Sequence, residues 1–417
     1  MNNPRFVALR ALMEIEAGGN SSQVLDRLLL RVKKRDRPFI TELVMGTLRW
    51  RGRLDYAVAY LSNIRIEKIE PHVMNALRMG IYQLERMRVA DYAAVKETVG
   101  LLKSRWKRSF VNGILRAFVR EGVRYPGKEA PLMYLTHTLS TPEWKALRWL
   151  EEFGLERAEA LALYYNSPPP IYLRVNRKKT SPQELIPVLR REGVETEECP
   201  ELPFCLKVRQ GNPGLSKALK QGLFYIQDKA SQLAGLIAST LGQQVWDPCS
   251  APGGKASHMA ELGLEVFASD ISLPRLKLAI GNFRRLGLKI RAFVADGKKP
   301  AVRRKFPLIF LDAPCSSMGI IHRAPEVKWR ITPEKLVELS GLQRELIKAL
   351  VPHSKQLLYV VCTQEREETE EVVKDYRTVS LTAPLQSSFL RKKGDFLLTE
   401  PHLFQSDGMF YALIRQD

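Results

Sequence analysis

Apolar positions recur at helical spacing through roughly the first 125 residues of the chain. Phe6, Leu9 and Met13 follow this spacing, and so do apolar residues within the stretch 73–84. An apolar residue every three or four positions gives a helix one buried face, and strand-like alternation is absent from this region. We therefore predict an all-α N-terminal domain over residues 1–130.

The pattern changes in the middle of the chain. A turn-rich stretch, YPGKEAP, occupies 125–131, and three consecutive prolines at 168–170 cannot continue a helix. The stretch IYLRVN that follows the prolines alternates like a strand. We predict a small α/β subdomain over residues 131–220.

Short apolar runs alternate with helical stretches in the last part of the chain. Strands that alternate with helices predict a parallel, doubly wound sheet. Two last strand candidates, LLTEP and GMFYALIRQD, are predicted to form a C-terminal hairpin at one end of the sheet. Residues 221–417 are therefore predicted to be a Rossmann-like α/β domain with a mostly parallel, seven-stranded sheet. The other five predicted strands lie at 243–247, 265–270, 290–296, 307–312 and 356–361.

The chain has a large excess of positive charge. It carries 65 Lys and Arg against 45 Asp and Glu, for a net charge of +20. Such a charge favours a polyanionic partner, and nucleic acid is the usual one. The stretch 101–120 contains six cations and no acid, and further cations lie in 174–179. We predict that 103–120 and 174–179 bind an RNA backbone.

Other classes of protein fit the sequence poorly. No apolar run approaches the length of a transmembrane helix, and the N-terminus lacks the apolar block of a signal peptide. We expect a cytoplasmic protein with no membrane partner. Five cysteines without a CxxC pair, and only six histidines, predict neither a disulfide framework nor a metal site. Cys199 and Cys205 lie away from every motif and are interpreted as structural.

Acidic residues and glycines follow the predicted parallel strands. Ligands of such sheets bind beyond the carboxyl ends of the strands. The first strand runs into DPCSAPGGK (247–255), where two glycines precede a helix whose N-terminal amides can face a ligand. The next three strands end at Asp270, Asp296 and Asp312.

These four strand ends together predict a nucleoside cofactor. Asp270 can accept hydrogen bonds from both ribose hydroxyls, and Asp296 can accept one from an adenine amino group. Neither GxGxxG nor GxxxxGK[ST] is present, so a nucleoside without a pyrophosphate fits better. S-adenosylmethionine is therefore the predicted cofactor.

Two cysteines lie at the same predicted edge of the sheet. Cys315 follows the strand that ends at Asp312, and Cys362 ends the next strand. A thiolate that adds to C6 of cytosine makes C5 nucleophilic enough to take a methyl group, whereas methylation of an amino group needs no thiol. Asp312 is placed to act as the acid near N3 if its pKa is raised. The cysteine pair therefore favours methylation at carbon 5.

Several motifs resemble the Sun (NOL1/NOP2/Sun) family of RNA cytosine-C5 methyltransferases. The resemblance covers nearly the whole chain and implies a NusB-like N-terminal RNA-binding domain and a class I methyltransferase domain. The combination is similar to the bacterial Sun-type enzymes that act on 16S ribosomal RNA. The motifs are DPCSAPGGK, DAPCSSMGIIHRAPEVKWR, YVVCT, GLFYIQDKASQLAG and DGMFYALIR, with VMGTLRW, LRMGIYQLERM, AAVKETVGLLK and FVNGILR in the helical region.

The resemblance also implies roles for individual residues. Asp270 would hold the ribose, Asp296 the adenine side, and Asp312 would lie between the methyl donor and the target base. Cys362 would be the nucleophile, and Cys315 would assist product release. The cofactor loop would consist of Cys249, Ser250, Ala251, Pro252, Gly253, Gly254 and Lys255.

Two stretches depart from the usual residues of the family. Thr363, Arg366 and Thr369 stand where Ser, Pro and Asn are common. The segment 317–319 reads Ser-Met-Gly, where Gly or Ala, Thr and Gly are more usual.

The leading hypothesis is therefore a monomeric enzyme that methylates C5 of a cytosine in 16S ribosomal RNA, before or during assembly of the small subunit. A transfer RNA substrate is one alternative. A non-catalytic RNA-binding assembly factor is another, and it predicts that the cysteines are dispensable. Methyl transfer to each class of RNA, with and without Cys362 and Cys315, discriminates the three.

Overall fold

The fold is described from a computed structural model, which covers residues 3–62, 64–300, 302–383 and 387–416. The chain divides into two compact units: residues 1–168 with 321–330, and residues 169–320 with 331–417. The predicted domain boundaries at 130 and 220 are a different division and stay a prediction. No helix among the described residues is long and apolar enough to cross a membrane.

The first unit is helical, as predicted. Its central helix is buried on every side over residues 73–83, because it is surrounded by the other helices of the unit. Arg78 on this helix is buried and forms ion pairs with Asp55 and Glu16, which compensates its charge. The helices are α1 (Pro4–Glu16), α2 (Ser21–Leu29), α3 (Arg37–Arg49), α4 (Arg51–Leu61), α5 (Pro71–Arg86), α6 (Asp91–Val99), α7 (Arg105–Glu121), α8 (Pro131–Met133) and α9 (Glu143–Tyr165).

Residues 321–330 belong to the first unit although they follow the Asp-Ala-Pro-Cys motif. Glu326 accepts a hydrogen bond from the Ser21 backbone N–H at 2.8 Å, and the Trp329 indole N–H donates to the Leu48 carbonyl at 2.6 Å. This segment contains α15 (Val327–Arg330). The tail of a motif from the methyltransferase region is thus part of the helical unit, which the linear sequence did not suggest.

The second unit begins with a four-stranded antiparallel sheet in the order β2-β3-β1-β4. Helix α10 connects β1 to β2 and starts with a capping box formed by Ser181 and Glu184. This sheet and its helices are the small α/β subdomain that the sequence predicted. The elements are β1 (Tyr172–Val175), α10 (Pro182–Arg191), β2 (Glu195–Glu198), β3 (Cys205–Gln210), α11 (Lys217–Lys220) and β4 (Phe224–Ile226).

Nine further strands among the described residues of this unit form a second sheet, in the order β11-β12-β13-β9-β8-β5-β6-β7, with β10 beside β13. Strands β9, β8, β5, β6 and β7 are parallel to one another. At one end β13 pairs antiparallel with β9, and β12 pairs antiparallel with β13. The strands are β5 (Gln244–Asp247), β6 (Glu265–Asp270), β7 (Arg291–Val294), β8 (Phe306–Asp312), β9 (Ser354–Val361), β10 (Thr378–Val379), β11 (Leu390–Lys393), β12 (Phe396–Thr399) and β13 (Phe410–Arg415).

The Rossmann-like class is confirmed, but the predicted number of seven strands is wrong. The seven predicted strands are present, and β10 and β11 extend the sheet. β10 has only two residues and β11 reads LRKK, so neither has the apolar run by which the others were found. The helices around the sheet are α12 (Lys229–Ser239), α13 (Gly254–Glu261), α14 (Leu273–Leu286), α16 (Pro333–Leu350), α17 (Glu370–Val373) and α18 (Pro401–Phe404).

Arg174 on β1 is buried, with 1 % of its surface exposed. Its guanidinium donates to both carboxylate oxygens of Glu261, at 3.0 and 2.8 Å, and to the Gly254 carbonyl at 2.7 Å. Gly254 and Glu261 begin and end α13, so Arg174 fastens the small sheet to this helix. The prediction that Arg174 binds RNA is wrong, because all of its charge is directed into the interior.

We predict that Arg174→Met lowers the free energy of unfolding of this unit by about 3 to 5 kcal/mol, because it leaves the Glu261 carboxylate buried without its partner. Equilibrium urea unfolding measures the change. Lys178→Met, an exposed cation four residues further on, is the matched control and should change stability by no more than about 0.5 kcal/mol. Equal losses in the two variants would contradict the assignment.

Candidate active site

The pairing of β8 with β9 brings the two predicted active-site cysteines together. In this parallel pair Asp312 lies opposite Val360. Beyond the pair the Ala313 N–H donates to the Val360 carbonyl at 3.1 Å, and the Gly319 N–H to the Cys362 carbonyl at 2.9 Å. The loop after Asp312 therefore folds back over the end of β9.

The sulfur atoms of Cys315 and Cys362 are 3.2 Å apart, although the residues are 47 positions apart in the sequence. This exceeds the length of a disulfide bond, about 2.05 Å, and both thiols are free. A hydrogen bond from the Cys315 thiol lowers the pKa of Cys362, and Lys255 adds to this effect against the opposing effect of burial. The same hydrogen bond, with burial, raises the pKa of Cys315. Cys362 is thus the thiol that the site favours as a thiolate.

Lys255 and Asp312 form an ion pair beside the thiols. The Lys255 ammonium donates to Asp312 Oδ2 at 2.8 Å. Burial alone would lower the pKa of Lys255, but the nearby Asp312 carboxylate, with Cys362 and Asp247, raises it to about 12. Lys255 therefore keeps its positive charge near the Cys362 sulfur, where that charge favours the thiolate.

Buried polar groups fix the loop that carries Cys315. Glu368 Oε1 accepts hydrogen bonds from the Ser316 N–H at 2.8 Å and from Gln343 Nε2 at 2.9 Å, and Gln343 also donates to the Pro314 carbonyl at 2.9 Å. Arg366, one of the departures from the usual family residues, is exposed and away from these contacts. The unusual stretch after Cys362 still supplies the carboxylate that holds the loop.

A cavity of about 520 Å³ opens at the carboxyl ends of the parallel strands. It lies where a doubly wound sheet binds its ligand. Ile271, which follows Asp270, is 65 % exposed and offers an apolar surface to a base. The predicted site residues that line the cavity are Cys249, Ala251, Lys255, Asp270, Asp296, Asp312, Cys315 and Cys362.

The two predicted cofactor acids also support their own loops. Asp270 accepts hydrogen bonds from the Ser272 N–H at 2.9 Å and the Ala251 N–H at 3.3 Å, and Asp296 accepts one from the Lys298 N–H at 2.9 Å. A carboxylate has about four acceptor positions, so both acids keep capacity for a ligand. Their structural role and their predicted binding role are compatible.

Ser250, Pro252, Gly253 and Gly254 do not line the cavity but form the turn that carries its lining residues. Gly253 has a φ of 94°, and a Cβ atom there would be 2.7 Å from the Phe283 ring. A Cβ on Gly254 would be 3.1 Å from the Tyr225 ring. The two glycines therefore allow close packing against α14 and β4, and their predicted role in cofactor binding stays a prediction.

The cavity suits the predicted nucleoside cofactor. The buried Ser250 hydroxyl and Asp247 Oδ2 have no hydrogen-bond partner within the described part of the chain, so polar capacity remains beside the cavity. Burial, with Asp312 nearby, raises the pKa of Asp247. Acids, an apolar surface and unused polar atoms together match a ligand with a ribose, a base and a charged tail.

Sequence reasoning missed several lining residues. Ile271 could have been found from its position after a strand-terminal acid, and Leu342 and Leu346 from their one-turn spacing on α16. No feature of the sequence indicated that Ser317 would line the cavity. Its hydroxyl lies 3.6 Å from the Cys362 sulfur.

The family match identifies this fold and cavity as those of an S-adenosylmethionine-dependent methyltransferase. Residues 235–415 match the family model of the 16S rRNA methyltransferase RsmB/F, residues 2–120 match the NusB family, and residues 141–213 match the ferredoxin-like domain of RsmF/B-like methyltransferases. The chain belongs to the 16S rRNA methyltransferase RsmB/F family. The predicted NusB-like N-terminal domain is likewise confirmed.

Relatives match over nearly the full length. The chain is 32% identical to the probable ribosomal RNA small subunit methyltransferase B of Bacillus subtilis (strain 168), over 99% of this chain and 98% of the relative. It is 35% identical to ribosomal RNA small subunit methyltransferase B of Pseudomonas putida, over 90% of this chain and 88% of the relative. The crystal structure of PH0851 shares the fold, with a TM-score of 0.81, 24% identity and coverage of 100% and 99% of the two chains.

We predict that Cys362 reacts with iodoacetamide at lower pH than Cys315. The hydrogen bond and Lys255 lower the pKa of Cys362, whereas the same hydrogen bond and burial raise that of Cys315, so the thiolate of Cys362 forms at lower pH. Peptide mass spectrometry of the full chain across pH 6–10 measures both rates, with buried Cys199 as an internal control. Earlier reaction of Cys315 would reverse the assignment.

Proposed function

We propose that this protein transfers a methyl group from S-adenosylmethionine to C5 of a cytosine in 16S ribosomal RNA, with Cys362 as the nucleophile. The observation that carries the proposal is the pair of free thiols 3.2 Å apart at the end of the cofactor cavity. Methylation of an amino group or a ribose hydroxyl needs no thiol. Family membership supports the ribosomal substrate.

In the proposed reaction the Cys362 sulfur forms a bond to C6 of the base. The C5–C6 double bond is consumed and C5 becomes the nucleophilic end of an enamine. S-adenosylmethionine, held by the turn from Cys249 to Lys255 with Asp270 and Asp296, would supply the methyl group that C5 takes up. Loss of the C5 proton to solvent and departure of the Cys362 thiolate restore the double bond and release 5-methylcytosine.

Lys255 and Asp312 support this chemistry from one side of the thiol. The ammonium favours the thiolate of Cys362 both before attack and when it leaves. Asp312 lines the same cavity as the two thiols, where it can accept a hydrogen bond from the cytosine amino group. Its action as an acid at N3 stays a prediction.

Cys315 is proposed to assist release. Its sulfur is 3.2 Å from the sulfur that must leave C6. A thiol donor at that distance stabilises the departing thiolate, just as it stabilises the thiolate before attack. Without it the bond to C6 should form but break slowly.

The cavity residues are proposed to hold the cofactor, which supplies an electrophilic methyl group when bound. Asp270 would bind the ribose and Asp296 the adenine amino group, with Ile271 against the base. The turn from Cys249 to Lys255 would position the methionine part. No step needs a metal ion, and no cluster in the described ranges could hold one.

The substrate cytosine must be unpaired or flipped out to reach the thiols. Cations of the stretch 103–120 and of 177–179 are proposed to bind the RNA backbone, as the charge pattern predicted. Lys107 is paired with Glu70 at 2.8 Å, whereas Lys103, Arg105 and Arg116 are exposed. We further propose a monomer that acts in the cytoplasm before or during small-subunit assembly.

We predict that Cys362→Ala lowers methyl transfer to 16S ribosomal RNA by at least about a thousandfold and forms no covalent adduct, because the nucleophile is gone. Cys315→Ala should instead accumulate a protein–RNA adduct. Labelled methyl transfer and denaturing gel electrophoresis measure both, and Cys199→Ala is the control for loss of a thiol outside the cavity.

Three outcomes would contradict the proposal. An adduct with Cys362→Ala would exclude Cys362 as the nucleophile. Full activity in both cysteine variants would indicate a different reaction. Methylation of transfer RNA in place of ribosomal RNA, run in parallel, would correct the substrate.

A further inference from the structure

Ser317 has an unfavourable backbone conformation beside the two thiols. Its φ is 61°, a region that residues with a Cβ atom rarely adopt and that glycine adopts freely. It lines the cavity and is half-buried. Strained backbone conformations cluster at functional sites, which is a reason to test Ser317 for a functional role.

The loop fixes this conformation from both sides. The Ser316 N–H donates to Glu368, and the Ile320 N–H donates to the Ser317 carbonyl at 3.1 Å. Gly319 requires glycine for a steric reason, because a Cβ there would be 1.8 Å from the Gly408 carbonyl oxygen. Ser317 is the strained position in this loop that nevertheless carries a side chain.

That side chain is aimed at the sulfur of Cys362. The Ser317 hydroxyl is 3.6 Å from it, within hydrogen-bond range for sulfur. The Ser317 backbone N–H also acts to lower the pKa of Cys315, against the larger effects that raise it. One residue therefore acts on both thiols of the site.

We propose that Ser317 is a catalytic residue whose hydroxyl donates a second hydrogen bond to the Cys362 thiolate. A hydroxyl is a better donor than a thiol, so this bond adds to the one from Cys315. It stabilises the thiolate when it attacks C6 and again when it leaves. The inference rests on the proposed function only in taking Cys362 as the nucleophile.

Four other influences also shift the pKa of Cys362. Cys315, from the loop after β8, and Lys255, from α13, lower its pKa, whereas burial and the Asp312 carboxylate at the end of β8 raise it. Glu368 acts on Cys315, whose pKa it raises. Ser317 carries no charge, so a change at this position tests the hydrogen bond itself.

The test uses two substitutions that separate the hydroxyl from the backbone. Ser317→Ala removes the hydroxyl and keeps the strained φ, and Ser317→Gly removes both. In each variant the pH midpoint of Cys362 alkylation by iodoacetamide should rise by about 0.5 to 1 pH unit, which lowers the rate at pH 7 about three- to tenfold. Neither RNA nor cofactor is needed, and peptide mass spectrometry assigns the reaction to Cys362.

Thermal unfolding provides the second readout. Ser317→Gly should have a Tm about 2 to 4 °C above that of Ser317→Ala, because glycine relieves the strain. Arg88→Gly, which relieves a φ of 51° in the helical unit, is the matched control and should leave the Cys362 midpoint unchanged. A residue with a purely structural role would change Tm without moving the midpoint.

Two results would overturn the inference: a midpoint that is unchanged or lower in Ser317→Ala, or one that moves only in Ser317→Gly. The proposed function is tested separately. If wild-type protein methylates cytosine while the midpoint stays fixed, only the role of Ser317 fails. If the midpoint rises in a protein that methylates no cytosine, Ser317 keeps its role as donor and the proposed function fails.

Discussion

The register between β8 and β9 is the constraint on which the site depends. Side chains alternate across a strand, so a slip by one residue would turn every side chain of the strand to the opposite face. Because Asp312 lies opposite Val360, strands β8 and β9 end side by side at the carboxyl edge of the sheet. This register places the Cys315 sulfur 3.2 Å from the Cys362 sulfur and keeps Asp312 beside Lys255.

Because the two thiols are close together, they differ in acidity. One sulfur donates and the other accepts, so their pKa values move in opposite directions. Burial strengthens this contrast, because hydrogen bonds and charges act more strongly away from water. Lys255 adds to the lowering of the Cys362 pKa, whereas burial and Asp312 oppose it.

Support for the site comes from residues outside the cavity. Arg174 ties the small sheet to the helix that follows the cofactor turn, and Glu368 holds the loop of Cys315. Arg174 donates one of its hydrogen bonds to the Gly254 carbonyl at the start of that helix, and Glu368 accepts one from the Ser316 N–H in the Cys315 loop. A site whose parts come from five strand ends requires such anchors, since an isolated loop would not hold them in place.

Much of this could be predicted from the sequence. Apolar runs that end in acids revealed the parallel strands, and shared strand ends predicted the cavity and the meeting of Cys315 with Cys362. The burial of Arg174 could not be predicted, because Glu261 lies 87 positions away and a run of cations resembles an exposed patch. The positive φ of Ser317 could not be predicted either. It is imposed by the hydrogen bond from the Ser316 N–H to Glu368 and by the one from the Ile320 N–H to the Ser317 carbonyl.

The central claim is that Cys362 attacks the base. Ribosomal RNA that contains 5-fluorocytosine tests it most directly, because fluorine cannot leave C5 as a proton does and the adduct is trapped. After incubation with cofactor and digestion, mass spectrometry should find the methylated nucleotide on the peptide that contains Cys362. A nucleotide on the Cys315 peptide, or RNA methylated without any adduct at Cys362, would contradict the account.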